Sequence, residues 1–327
     1  MGGGEGKGDV NSRLRCRFGK FALRREKPAT DVSDGGWFGG LRSAGRQAVQ
    51  RGKWLRYEVG RSWRGAVSAA AALALPLGGW WLYWEDGPDD FARFANGLAV
   101  VLPGIEGCGP LNWSICQGLI DGGFPGAVVL WDWTTGLWPL LLFHLRAGRF
   151  QLAKAAALAR FILDYQNDYP QQPVYLVGHS GGTALAALAL EALPEGQAVT
   201  GAVLLGSALS PHFPLGPVLQ KVQRGMWNFW SPLDIPLLAV GTLLFGTADG
   251  RHSVAAGLCG FSVPQSTAPE VMQLYLTRLH QRRYELRMAR QFHLGGHFGW
   301  ANRVFVAEEI APLLTGGSSQ APCGAIA

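Results

Sequence analysis

Charge is scarce in this chain, and its few cysteines form no pattern. Charged residues make up 16% of the 327 positions and hydrophobic ones 48%. That balance excludes a disordered, highly charged protein and supplies a large core. Five cysteines stand at positions 16, 108, 116, 259 and 323. With no CxxC and no His/Cys cluster, nothing marks a metal site. On an oxidising export route Cys108 and Cys116 are the disulfide candidates, and unpaired buried thiols are the alternative. There is no internal repeat.

The formal net charge of +6 is unevenly spread. Residues 1–64 hold 15 Lys/Arg against 6 Asp/Glu, which leaves 14 basic and 17 acidic side chains for all the rest. The basic character therefore belongs to an N-terminal arm, and the body has no basic face interleaved with aromatics of the kind that binds nucleic acid. Residues 1–64 are Gly- and Arg-rich and read as a disordered arm. From Gly65 to Trp84 run 20 residues without a charge. As a helix they would extend roughly 30 Å, the thickness of a bilayer core. Arg51, Lys53, Arg56, Arg61 and Arg64 precede this run and Glu85, Asp86, Asp89 and Asp90 follow it. That asymmetry predicts a signal anchor over 65–84, with the N-terminus cytoplasmic and the body on the exported side. A cleaved signal peptide and a buried helix are the competing readings.

After Asp90 short apolar runs alternate with helical stretches. Strands are expected at Leu98–Leu102, Ala127–Trp131, Val174–Val177, Val199–Leu205 and Gly225–Trp230, with a last one over Tyr284–Met288. Helices are expected at Asn112–Ile120, Arg149–Tyr169, Thr183–Leu193, Ala268–Arg283 and Asn302–Leu314. This alternation predicts an α/β domain over 85–314 with a central, mostly parallel sheet buried on both faces and flanked by helices. Residues 315–327 form a flexible tail.

The chemistry gathers around Gly178-His179-Ser180-Gly181-Gly182, placed between a strand and a helix. A serine on so sharp a turn is pushed above the sheet, and flanking glycines remove the Cβ atoms that would collide there. Its hydroxyl needs a base and the base needs an orienting acid, in the chain order Ser, acid, His. His297, in Gly295-Gly296-His297-Phe298-Gly299, is the expected base, with His293 as runner-up. Asp234 follows a strand and is the expected acid, and Asp249 is the alternative acid. Asp132 lies before the serine and is read as a loop support. The oxyanion donors are expected to be the amides of Gly181 and of Ile105, the latter in the loop Leu102-Pro103-Gly104-Ile105-Glu106-Gly107. An ordinary Gly turn is the alternative reading of that loop.

The elbow, the Pro-Gly loop, Ser231-Pro232-Leu233-Asp234, Leu244-Phe245-Gly246-Thr247-Ala248-Asp249-Gly250-Arg251-His252 and Gly295-Gly296-His297-Phe298 resemble the α/β-hydrolase superfamily. The likeness covers about residues 95–314 and is to a bacterial, lipase- or esterase-like branch that often carries an N-terminal export segment. It implies hydrolysis of small-molecule or lipid esters through an acyl-serine intermediate, with no metal or organic cofactor. The chain departs from that branch in having no cysteine straight after its apolar segment, and it has no long cap insertion. Acyl transfer or thioester cleavage by the same triad, and a catalytically silent module at a membrane surface, are the alternatives.

Overall fold

In the computed structural model the described residues are 56–70, 91–135, 144, 148–264 and 268–316. Six strands form one sheet: β1 (Leu98–Leu102), β2 (Ala127–Leu130), β3 (Val174–His179), β4 (Val199–Leu205), β5 (Val222–Trp230) and β6 (Leu279–Arg283). Their order is β2-β1-β3-β4-β5-β6, and every neighbouring pair is parallel. The expectation of a central parallel sheet between helices is met.

The apolar runs of the central strands have no polar face, because helices cover both sides. Side chains alternate across a strand. Leu98, Val100 and Leu102 therefore pack with Leu158 and Ile162 of α3 (Gly148–Asp168) and Leu185 of α4 (Gly182–Glu191). Ala99 and Val101 point the other way, onto Leu111, Ile115 and Leu119 of α2 (Pro110–Asp121) and Phe305 and Val306 of the closing helical run α6 (303–315). Gly118 lets α2 and α6 touch, since a Cβ there would lie 2.6 Å from Val306 Cβ.

Two expectations near the C-terminus are corrected. The helix expected over Ala268–Arg283 stops early: α5 is Pro269–Arg278, and the chain continues as β6. Leu279-His280-Gln281-Arg282-Arg283 is polar and largely exposed because it is the sheet's edge, so it lacks the apolar run that marks a buried strand. Tyr284–Met288 is not a strand. Tyr284 N donates to Trp230 O, and a 3₁₀ turn then begins at Leu286.

The N-terminal expectations also change. Residues 56–70 form a helix, α1, that is seated on the domain. Arg61 Nε reaches Glu308 Oε1 at 2.6 Å, and Arg64 Nε lies 3.3 Å from Asp121 Oδ2. Asn302 Nδ2 donates to Gly65 O, and Gly65 is so close to the Phe292 ring that no larger residue fits. Positions 56–64 are thus held by ion pairs with the body, and of 65–70, expected within a membrane span, Gly65 and Ser68 lie against protein while the other four residues are exposed. No helix among the described residues is long and apolar enough to cross a membrane. The other parts of the arm, of the 65–84 segment and of the tail lie outside the described residues. Cys108 and Cys116 are free thiols, which is the second of the two readings offered for this pair. Burial raises both their pKa values, and the neighbouring Asp132 carboxylate adds to this at Cys108.

The docking of α1 centres on Ser68, whose Oγ lies 2.6 Å from Ser114 Oγ and accepts from Arg303 N at 3.0 Å. Ser68→Val leaves the buried Ser114 Oγ and the part-buried Arg303 N without that partner. We expect a loss of about 1–3 kcal/mol in urea unfolding. An unchanged midpoint would mean that α1 is not held on the domain.

Candidate active site

Three strand ends meet at the carboxyl edge of the sheet, where open α/β sheets hold their ligands. β3 delivers Ser180, β4 delivers Gly206, and the loop after β5 delivers Asp234. Ser180 has φ +53°, a left-handed conformation that costs a side-chain-bearing residue about 1–3 kcal/mol. It is held from both sides: its N–H donates to Leu205 O at 2.9 Å, and its carbonyl accepts from Thr183 Oγ1 at 2.6 Å. The glycines around it are needed for space. A Cβ on Gly178 would sit 2.7 Å from Gly182 O, and one on Gly182 would collide with the Leu102 and Pro103 carbonyls.

That contact brings the β1 loop against the elbow. A Cβ placed on Gly181 would lie 3.3 Å from Ile105 N, so the two amides expected to serve the oxyanion are neighbours. The loop is fixed by groups the sequence reading missed. Trp133 Nε1 donates to Pro103 O at 2.8 Å, Asn112 Nδ2 donates to Gly107 O at 2.9 Å, and His144 Nδ1 lies 3.1 Å from Ile105 O. Asp132 accepts from Thr134 N and Oγ1, the loop-supporting part expected of it.

Asp234 and His297 are 63 positions apart and meet in the fold, with His297 Nδ1 2.6 Å from Asp234 Oδ2 and both side chains buried. Ser231 ties their loops together: its Oγ donates to Gly295 O at 2.6 Å, while Leu233 N donates to Ser231 Oγ. Burial is the largest influence on the imidazole and works to lower its pKa. The charge and hydrogen bond of Asp234, with the charge of Glu106, outweigh burial and hold the pKa above the ordinary histidine value. The ring lies over Gly206, where a Cβ would be 3.3 Å from His297 Cε1, and its centroid is 5.0 Å from that of His179, the residue before the serine. With Nδ1 on Asp234, Nε2 is the nitrogen left for the serine side. Ser180 Oγ and His297 are not hydrogen-bonded to each other in this structure. Such contacts are commonly long until substrate closes the site.

The two competitors have other partners. Asp249 accepts from Ser210 N at 2.8 Å and Ser210 Oγ at 2.6 Å, and lies 3.6 Å from Arg251. His293 is buried edge-on to Trp300, with ring centroids 3.9 Å apart, and its Nδ1 accepts from Gly295 N at 2.9 Å. Among the described residues no group of three or more His, Cys, Asp or Glu side chains is placed to hold a metal ion.

A family model described as serine aminopeptidase, S33, of the Hydrolase_4 family, matches residues 155–287. This stretch runs from α3 through the elbow to just past β6. Among curated proteins none matches the chain. Two of the solved structures that are similar to it are of hydrolases. One is a candidate esterase from Staphylococcus aureus, with 11% identity over 58% of this chain and 67% of that one and a TM-score of 0.33. The other is a candidate YdeN-like hydrolase from Pectobacterium atrosepticum, with 16% identity over 64% and 83% and a TM-score of 0.25. The parallel sheet, the elbow and the matched family together support a serine hydrolase of the α/β type.

His293 yields a prediction distinct from catalysis. Burial pushes its pKa down to about 3, so the folded chain keeps it neutral over a range where the unfolded chain, with the ordinary value of 6.5, takes up a proton. The unfolded state then binds more protons, and stability falls as pH drops from 6.5 toward 3, by up to about 1.4 kcal/mol per pH unit. In His293→Gln that part of the acid slope should vanish from unfolding curves. An unaltered slope would show that His293 is not held neutral.

Proposed function

We propose that the chain is a serine hydrolase of carboxylic esters, with Ser180 as nucleophile, His297 as general base and Asp234 as the acid that orients it. The observation that carries this reading is the buried 2.6 Å contact between His297 Nδ1 and Asp234 Oδ2, beside a serine held in a left-handed turn. In the first step His297 Nε2 takes the Ser180 proton as Oγ attacks the ester carbonyl. The negative charge that develops on the carbonyl oxygen is met by the amides of Gly181 and Ile105. The imidazolium returns its proton to the leaving alcohol. Water, activated by the same ring, then releases the acid from Ser180.

The surroundings favour an ester with an apolar acyl group. Leu233 and Phe298, the neighbours in sequence of the acid and the base, and Leu294, three positions before the base, are exposed and uncharged. The membrane placement rests on sequence alone: an uncharged run behind a basic arm. We propose that this segment attaches the protein to a membrane, with the body on the exported side.

Turnover of p-nitrophenyl esters from acetate to palmitate should rise with acyl length and fall to background in Ser180→Ala. A Ser180→Ala protein with full activity would sink the assignment. Because His297 must be neutral to act and its pKa is raised, kcat/KM should climb with pH along a limb lying above the usual histidine range. Asp234→Asn should move this limb to lower pH and reduce kcat by about 10⁴-fold, the cost of a wrongly set tautomer. A limb that stays in place would remove Asp234 from its role.

A further inference from the structure

Glu106 is a carboxylate tucked into the loop that supplies Ile105, and the chemistry described above makes no use of it. Its side chain is 16% exposed. Oε1 accepts from Asn112 Nδ2 at 3.2 Å, and Oε2 lies so close to Gly104 that a Cβ there would overlap it. Across from it stands His179, fully buried, with Nδ1 3.8 Å from Glu106 Oε1, an ionic contact rather than a hydrogen bond. Nδ1 has no hydrogen-bond partner among the described residues. The other nitrogen, Nε2, faces the backbone carbonyl of His297 at 3.3 Å.

A carbonyl can only accept, so Nε2 carries the hydrogen there. A bare Nδ1 would then direct its lone pair at a carboxylate, which is repulsive. The contact becomes attractive only with a hydrogen on Nδ1 as well. We propose that Glu106 is a positioning residue of the catalytic centre, tying the loop after β1 to His179 on the elbow and, through His179, to the backbone of His297. This rests on the hydrolase reading given above. Nucleophile, base and oxyanion loop come from three separate stretches of chain, and this bridge touches all three.

The charges around His297 decide what the bridge does to it. Asp234 faces the ring from the loop after β5, Glu106 from the loop after β1, and His179 from the end of β3, while β4 presents only the backbone of Gly206. The Glu106 carboxylate favours the imidazolium form of His297. For Glu106 itself, burial is the largest influence and would raise its pKa. His179, the loop's own backbone and Asn112 outweigh burial and hold the pKa below the usual carboxylate range, so the carboxylate is charged at neutral pH.

The test is Glu106→Gln in the full chain. Glutamine keeps the shape and the acceptor for Asn112 and removes the charge. Two readouts are expected to move together. In NMR titrations the ring protons of His297 should titrate at lower pH than in the parent chain. With a p-nitrophenyl ester, kcat should drop about tenfold at little change in KM, with the acid limb of kcat/KM at lower pH. In a His179→Gln background the Glu106→Gln loss should be much smaller, because the two residues act as one unit. Unchanged His297 titration, or kcat losses that simply multiply between the two variants, would overturn the proposal. The NMR readout needs no turnover. A shift there in a chain whose Ser180→Ala variant stays fully active would leave the bridge standing and bring down the hydrolase reading instead.

Discussion

The arrangement of this site depends on how closely the turn at Ser180 presses against the end of β1. Gly182 leaves no room for a Cβ beside the Leu102 and Pro103 carbonyls, and Gly181 lies against Ile105. If the elbow moved outward by the width of a methyl group, the amides of Gly181 and Ile105, proposed above as the oxyanion donors, would separate. The strain of a left-handed serine is sustained by the rigid elements around it, with β4 accepting from its amide and α4 capping its carbonyl through Thr183.

A second constraint is the burial of charge. Asp234, Glu106, His179, His293 and His297 all lie beneath or beside the same sheet edge, where an isolated charge is costly. The structure responds differently at each. Asp234 and His297 satisfy one another, and the pair raises the affinity of the imidazole for protons. His293 has aromatic neighbours and an amide donor, so it stays neutral and braces the loop that carries His297. These two histidines lie four positions apart in one Gly-rich loop, yet their surroundings push their pKa values in opposite directions. Such a divergence separates a group that handles protons from one that holds structure.

Much of the fold was legible because buried parallel strands have a plain pattern. Val199–Leu205 and Leu98–Leu102 are where the apolar runs place them, since both faces of each strand are covered and Thr200, near the start of the former, is the one polar residue in either. The elbow was legible because its steric demands restrict the residue types allowed at 178, 181 and 182. β6 was not legible, because an edge strand is free to be polar and then looks like a helix surface. α1 was missed for a related reason. Arg61 and Arg64 resemble the basic flank of a membrane segment until Glu308 and Asp121, more than 50 positions away, are seen to meet them.

By itself the sequence determined the strand–turn–helix unit, the glycines that admit Ser180, and the alternation of apolar runs that requires a covered parallel sheet. These are local matters, settled by sterics and side-chain period. Only the tertiary structure decided which histidine meets which acid, that Glu106 stands opposite His179, and that residues 56–70 lie on the domain. Each of these is a contact between groups distant along the chain, and a hydrogen bond or ion pair has no local signature until folding brings its two partners within about 3–4 Å.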